Sequence, residues 1–223
     1  MRGTAVPQMM RIQTLPLGPL QANCHLLVDE EAGELVVVDP GDDAPQLLAA
    51  IETIGLPVRA VWLTHAHFDH VGALAPLIAA HPDAGIHLHP ADAVLYGVAA
   101  RQAASYGLRI SDPPPYDHEL GEGDVVAVGA HEFRVWHCPG HAPGHVIFLG
   151  EGVAIVGDCL FAGSVGRTDL PYADPAQLAA SLDRIASLPP ETRVLCGHGP
   201  ETTIAVERLS NPFLNGAARL VTR

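Results

Sequence analysis

Residues 58–74 read VRAVWLTHAHFDHVGAL, and this stretch limits the folds open to the chain more than any other. An apolar run of the kind that forms a buried strand ends in four potential metal ligands, His65, His67, Asp69 and His70, within six residues. Imidazole nitrogen and carboxylate oxygen together suit zinc and related divalent ions. Because the ligands leave a strand instead of lying on a helix, the pattern differs from the H-E-x-x-H arrangement of helical metalloproteases.

Three further candidates sit in equivalent settings. His141 follows the run HEFRVWHC, Asp158 ends GVAIVGD, and His198 ends RVLCGHG. Each is expected just past the C-terminal end of a strand. The flanking glycines, Gly140, Gly144, Gly157, Gly197 and Gly199, permit the tight turns of a functional rim. Seven ligands exceed one tetrahedral site but suit two ions that share a carboxylate and a hydroxide. A structural zinc site, closed and four-coordinate, gives no reason for seven.

Short apolar runs ended by turn residues predict strands near 24–28, 34–39, 58–64, 85–88, 125–128, 132–137, 146–149, 153–157 and 193–196. Helices are expected over 43–54, 71–80, 91–104, 175–187 and 202–210. This mixed order points to packed sheets with helices outside, not to a plain doubly wound sheet. SDPPPYD at 111–117 reads as a loop.

Composition removes several function classes. The chain has 223 residues, 48% of them hydrophobic, enough to bury a substantial core. All twelve basic residues are Arg, which rules out Schiff-base, pyridoxal-phosphate and P-loop chemistry, since each needs a Lys amine. A net charge of −13 argues against nucleic acid as a partner. Cys24, Cys138, Cys159 and Cys196 form no C-x-x-C pair, so a zinc ribbon is excluded and a reducing, cytoplasmic setting is expected. The opening twenty residues are broken by Pro and Gly and read as neither leader nor membrane span.

THAHFDH with the later His141, Asp158 and GHG resembles the metal motifs of the metallo-β-lactamase superfamily. HCPGHAPGHV, GDCLFAGSVGRTDLP, GHGPETT and ERLSNPFL are similar to the glyoxalase II (hydroxyacylglutathione hydrolase-like) branch, in particular its short single-domain members. The resemblance implies an α/β fold, a four-layer αβ/βα sandwich of two mixed sheets with helices on the outer faces. It implies His65, His67 and His141 on one metal, Asp69, His70 and His198 on a second, and Asp158 bridging both. Zinc is the expected ion, with iron or manganese suited to the same donors. Asp39, in VVVDPGDD, matches a position near the site and is expected behind the ligands.

The activity implied is hydrolysis of a small glutathione-linked thioester such as S-lactoylglutathione, giving glutathione and a hydroxy acid. The attacking group would be a hydroxide shared by the two metals, with Asp69 and Asp158 as the catalytic carboxylates. Two-domain glyoxalase II enzymes hold glutathione with a C-terminal helical domain. Only 25 residues follow His198, so one domain over 1–223 without that addition is expected. Arg167 is then the best anchor for a substrate carboxylate, ahead of Arg101, Arg109, Tyr106 and Tyr116. The alternatives are a mononuclear-iron persulfide dioxygenase and a lactone or β-lactam hydrolase of the same superfamily. His145 is expected to hydrogen-bond locally, not to ligate, and Cys159 to be a packed thiol. His25, His81, His87, His89, His118, His131 and His137 are expected to be core or surface residues.

Overall fold

Side-chain parity along the strands sets the layers. In ELVVV, Leu35 and Val37 pack beneath helices, while Val36 and Val38 face a second sheet. In VAIVG, Val153 and Ile155 face that shared interior, and Ala154 and Val156 face outward onto another helix. A computed structural model, which describes residues 10–220, shows how these parities join.

One sheet runs, in spatial order, β1 (Arg11–Leu17), β2 (Ala22–Asp29), β3 (Glu34–Val38), β4 (Val58–Trp62), β5 (Gly85–Leu88) and β6 (His118–Glu119). The other runs β14 (Thr202–Thr203), β13 (Arg193–Cys196), β10 (Val153–Gly157), β9 (Val146–Gly150), β8 (His131–His137) and β7 (Val125–Val128). Both are mixed: β3, β4, β5 and β6 are parallel neighbours, as are β10 and β13, and the remaining pairs are antiparallel; β11 (Leu160–Phe161) and β12 (Ser164–Val165) pair separately as a short antiparallel hairpin. The sheets pack face to face around Trp62, whose ring lies 5.7 Å from Phe133 and 5.2 Å from Phe148.

Helices cover the outer faces. α1 (Ala44–Ile54) buries Leu47 and Ile51 against the first sheet, after Asp43 caps it by accepting from the Gln46 N–H. α6 (Pro175–Ala186) presents Leu178, Leu182 and Ile185 to the second sheet, one face at helical spacing. The expected αβ/βα sandwich is therefore the fold observed. Two expected helices are broken: 71–80 becomes α2 (Phe68–Val71) and α3 (Leu74–Ala80), and 91–104 becomes a 3-10 turn (Pro90–Asp92), α4 (Ala93–Tyr96) and α5 (Ala99–Ser105). Gly72 and Gly97 fall at two of these breaks. α7 (Ile204–Ser210) begins two residues later than expected, and 111–117 carries no helix or strand. β1 lies outside the expected strands, because Pro16 and its half-exposed pattern obscure it; Pro is tolerated there because β1 is an edge strand.

Among the described residues no helix is long and apolar enough to cross a membrane. Residues 1–9, on which much of the leader reading rests, lie outside the described residues.

Candidate metal centre

β8 and β10 both run antiparallel to β9, and β13 runs parallel to β10, so the C-terminal ends of β8, β10 and β13 share one edge. The turn after β4 in the facing sheet meets them there. Gly157, at φ 48°, lets the chain turn into Asp158, and a Cβ at Gly197 would collide with the Asp158 carboxylate. The ligand-bearing turns can therefore approach only because both positions are glycine.

The seven residues read from the sequence converge at this edge. Ligand atoms of His65, His67 and His141 lie within 4.8 Å of one another, and so do those of Asp69, His70 and His198. Asp158 stands between the two groups. Its Oδ1 is 3.4 Å from His70 Nε2, and its Oδ2 is 3.5 Å from His141 Nε2 and 3.7 Å from His198 Nε2. Asp69 Oδ2 lies 3.3 Å from His198 Nε2.

Oxygens behind the rings fix which nitrogen faces inward. The Thr64 hydroxyl donates to Asp39 at 2.7 Å, so its oxygen accepts from His65 Nδ1–H at 3.0 Å, and the His65 lone pair is left on Nε2. His70 Nδ1–H donates to Asp39 at 3.0 Å, His141 Nδ1–H to the Arg167 carbonyl at 2.9 Å, and His198 Nδ1–H to the Leu20 carbonyl at 3.0 Å. Such backing bonds are the usual outer shell of metal-binding imidazoles. Asp39, in the left-handed region at φ 52°, also accepts from the Thr64 N–H at 2.8 Å. Asp39, His65 and His70 form a third close group, but Asp39 is satisfied by Thr64 and His70 and acts behind the ligands.

Several buried atoms at the site have nothing to bond. Nε2 of His65 and His70 and Oδ1 of Asp158 are buried without a hydrogen-bond partner, an arrangement that costs each group its hydration unless a cation takes its place; for His67 it is Nδ1 that faces the cluster. His67 Nδ1 and His141 Nε2 also approach to 2.9 Å. This donor set fits divalent metal ions, with nitrogen and carboxylate oxygen in the mixture that zinc, iron and manganese accept.

Charge points the same way. Burial, reinforced by neighbouring imidazoles, holds His65 well below its ordinary pKa, and burial takes His67 down to about 3 and lowers His141. These three stay neutral with lone pairs available. Burial alone would raise the pKa of Asp158 and Asp69, but His70 and the other nearby imidazoles outweigh it and hold both carboxyls ionised. For His70 burial is likewise outweighed, here by Asp158, Asp69 and Asp39, and its pKa rises well above the usual value. A neutral three-imidazole set thus stands beside an acidic set.

Two further side chains brace the site. Asp92 accepts from the Ala66 N–H at 2.8 Å and from the Gly144 N–H at 2.5 Å, clamping the His65–His70 turn to the His141 loop with one buried carboxylate. In sequence it reads only as the start of a helix. His145 accepts from the Asp158 N–H at 3.1 Å and stacks on His65 at 4.8 Å, so its local hydrogen bond positions the bridging residue. Cys159 packs beneath it, donating to the Cys138 carbonyl at 3.3 Å, and burial raises its thiol pKa well above the usual range.

A cavity of about 380 Å³ opens onto the cluster, lined by Asp69, His67, His141, Asp158 and His198 on the metal side. Arg167 lines it too, but its guanidinium is forked onto Asp169 at 2.6 and 2.7 Å. Of the weaker substrate candidates Tyr106 lines the cavity; Arg101, Arg109 and Tyr116 do not. The other histidines lie apart from it: His25 is buried against Thr14, His87 packs on His118, and His89 on His137.

Comparison with known proteins matches residues 17–198 to the family model described as the metallo-beta-lactamase superfamily. A Haemophilus influenzae protein named hydroxyacylglutathione hydrolase GloC is 36% identical over 92% of this chain and 99% of its own length. Among solved structures, TTHA1623 in a di-iron-bound form is 50% identical, with a TM-score of 0.84, over 91% of this chain and 100% of that one. The BLEG-1 B3 metallo-beta-lactamase is 37% identical, with a TM-score of 0.86, over 92% of this chain and 100% of that one.

Proposed function

The chain belongs to the metallo-β-lactamase superfamily, and we propose that it is a binuclear metal-dependent hydrolase whose substrate is a small S-acylglutathione such as S-lactoylglutathione. The observation that carries this reading is Asp158, whose carboxylate separates a three-imidazole set from an Asp69/His70/His198 set amid buried atoms that lack partners. The glutathione part of the reading draws on the similarity to the Haemophilus influenzae relative and its name.

His65, His67 and His141 would hold one cation, Asp69, His70 and His198 the other, and Asp158 both. Zinc is proposed first; a similar protein that carries two irons keeps iron equally in view. Bound there, the cations would supply Lewis acidity toward an acyl oxygen and would lower the pKa of an attacking water toward neutrality. Asp69, ionised and lining the cavity, orients that water by accepting its proton in a hydrogen bond. Asp39 and Thr64 keep His70 and His65 turned inward, and His145 holds the Asp158 backbone. A covalent thiol route has no support, because Cys159 is buried and its pKa is raised.

One domain over 1–223, a small-molecule partner and a cytoplasmic setting complete the proposal; the four buried, unbridged cysteines favour a reducing compartment. The test is thiol release from S-lactoylglutathione before chelation, after it, and after reloading with zinc or iron. Activity lost on chelation and restored by metal supports the reading, and thiol release unaffected by chelation overturns it. A β-lactam hydrolase is the second reading, favoured by the likeness to the B3 metallo-beta-lactamase. Ring opening of a β-lactam, faster than thioester cleavage by the same loaded protein, would replace the first reading with this one.

A further inference from the structure

The cavity wall away from the candidate metal ligands is mostly apolar. Leu20, Phe68, Tyr106, Phe161, Val165 and Leu170 line it, with Gln102, Ser164 and Arg167 between them. The Phe68 and Tyr106 rings stand 5.1 Å apart, and the Phe161 ring meets His198 edge-on at 6.0 Å, so apolar surface reaches the ligand cluster itself. Leu20 and Tyr106 remain 43% and 50% exposed. Large apolar side chains clustered at the mouth of a polar site are the mark of an apolar ligand.

Anion recognition is correspondingly thin. Arg167 is the one Arg or Lys side chain lining the cavity among the described residues, and its fork is engaged by Asp169. Gln102 spends its carbonyl oxygen on the Phe68 N–H at 3.1 Å. A net charge of −13 adds no long-range attraction for an anion. The two carboxylates of a glutathione moiety find no second cation here, whereas a ring or branched alkyl group finds walls on several sides.

Resting on the thioesterase reading above, we infer that the site selects its substrate by an apolar acyl group and reads the thiol only weakly. The reaction remains hydrolysis: the acyl C–S bond breaks, a C–O bond to water forms, and a water proton balances the released thiolate. Burying one phenyl group in such walls favours the substrate by about tenfold or more.

The experiment compares kcat/KM for S-lactoyl- and S-(3-phenyllactoyl)-glutathione with the same two acyl groups on uncharged N-acetylcysteamine, using the metal-loaded protein. These acyl groups share the α-hydroxyl and differ only by the ring. A gain of about tenfold or more for the phenyl compound in both thiol series, with a thiol effect under about threefold, is the expected result. The gain should shrink in Tyr106→Ser and Phe161→Ser. A preference for lactoyl, or a tenfold dependence on glutathione, would overturn the inference. If no thioester is cleaved the thioesterase reading fails, and calorimetric binding of phenyllactate against lactate decides the pocket separately. Tighter phenyllactate binding supports the apolar acyl site, and equal binding overturns it.

Discussion

Histidines come close together in two different ways in this molecule. At the sheet edge, His65, His67, His70, His141 and His198 crowd around two carboxylates. Elsewhere His87 and His118 lie 4.5 Å apart on paired strands, and His89 and His137 stack at 4.1 Å and 10°. Ring distance does not separate the cases. Backing joined to convergence does: His65, His70, His141 and His198 are each tied through Nδ1 to an oxygen, which turns the other nitrogen toward Asp158 or its neighbours, whereas His137, though its Nε2 donates to the Pro143 carbonyl at 2.9 Å, belongs to no such group of ligand atoms among the described residues. Among the described residues the outlying pairs join no group of three ligand atoms. A metal centre is distinguished by what stands behind its ligands as much as by the ligands.

The sharpest way to break this comparison is to remove the carboxylate only one group possesses. Asp158→Asn should release bound metal and lower activity on the order of 1,000-fold, as the loss of several kcal/mol of charge stabilisation implies; metal analysis and turnover together check it.

Acid probes a third kind of histidine, buried but outside the cluster. Burial lowers the His25 pKa from 6.5 to about 4. Between those values the unfolded chain binds a proton that the folded chain refuses. Stability present above pH 6.5 is therefore lost as the pH falls toward 4, by up to about 3 kcal/mol. Denaturant titrations of metal-free protein at pH 7 and pH 4 should show this, with a smaller fall in His25→Gln.

A finer cut tests the backing itself. Asp39→Asn keeps the shape but weakens the acceptor behind His70, and should reduce metal affinity about 10- to 100-fold while the fold survives. Competition with a chromophoric chelator measures it. At the small end, His87→Ala should leave metal content and turnover unchanged and move stability by no more than about 0.5 kcal/mol.

The convergence of the seven candidate ligands was legible in the sequence because each follows an apolar strand, and strand ends on one edge must converge. The mixed order of strands and helices made packed sheets with outer helices legible, and the family resemblance implied the four-layer sandwich. Which residues of ELVVV and VAIVG face which layer shows only in the fold, since both are nearly continuous apolar runs. What the sequence hid has physical causes. β1 was obscured by Pro16 on an edge strand, and the broken helices over 68–80 and 90–105 look continuous because their apolar spacing persists across Gly72 and Gly97. Asp92 was illegible as a brace because it acts on backbone N–H groups 26 and 52 residues away, and the expected local hydrogen bond of His145 is the one it accepts from the Asp158 N–H, 13 residues on. Arg167 was legible as a cavity residue, but its pairing with Asp169, two residues on, emerges only from the loop's conformation.

The most direct test is to count and locate metal in the reloaded protein, by elemental analysis together with anomalous scattering from crystals. Two ions per chain, one on each side of Asp158, are predicted. A single ion, or ions held at the His87 and His118 pair while the sheet-edge cluster binds none, would contradict the binuclear centre.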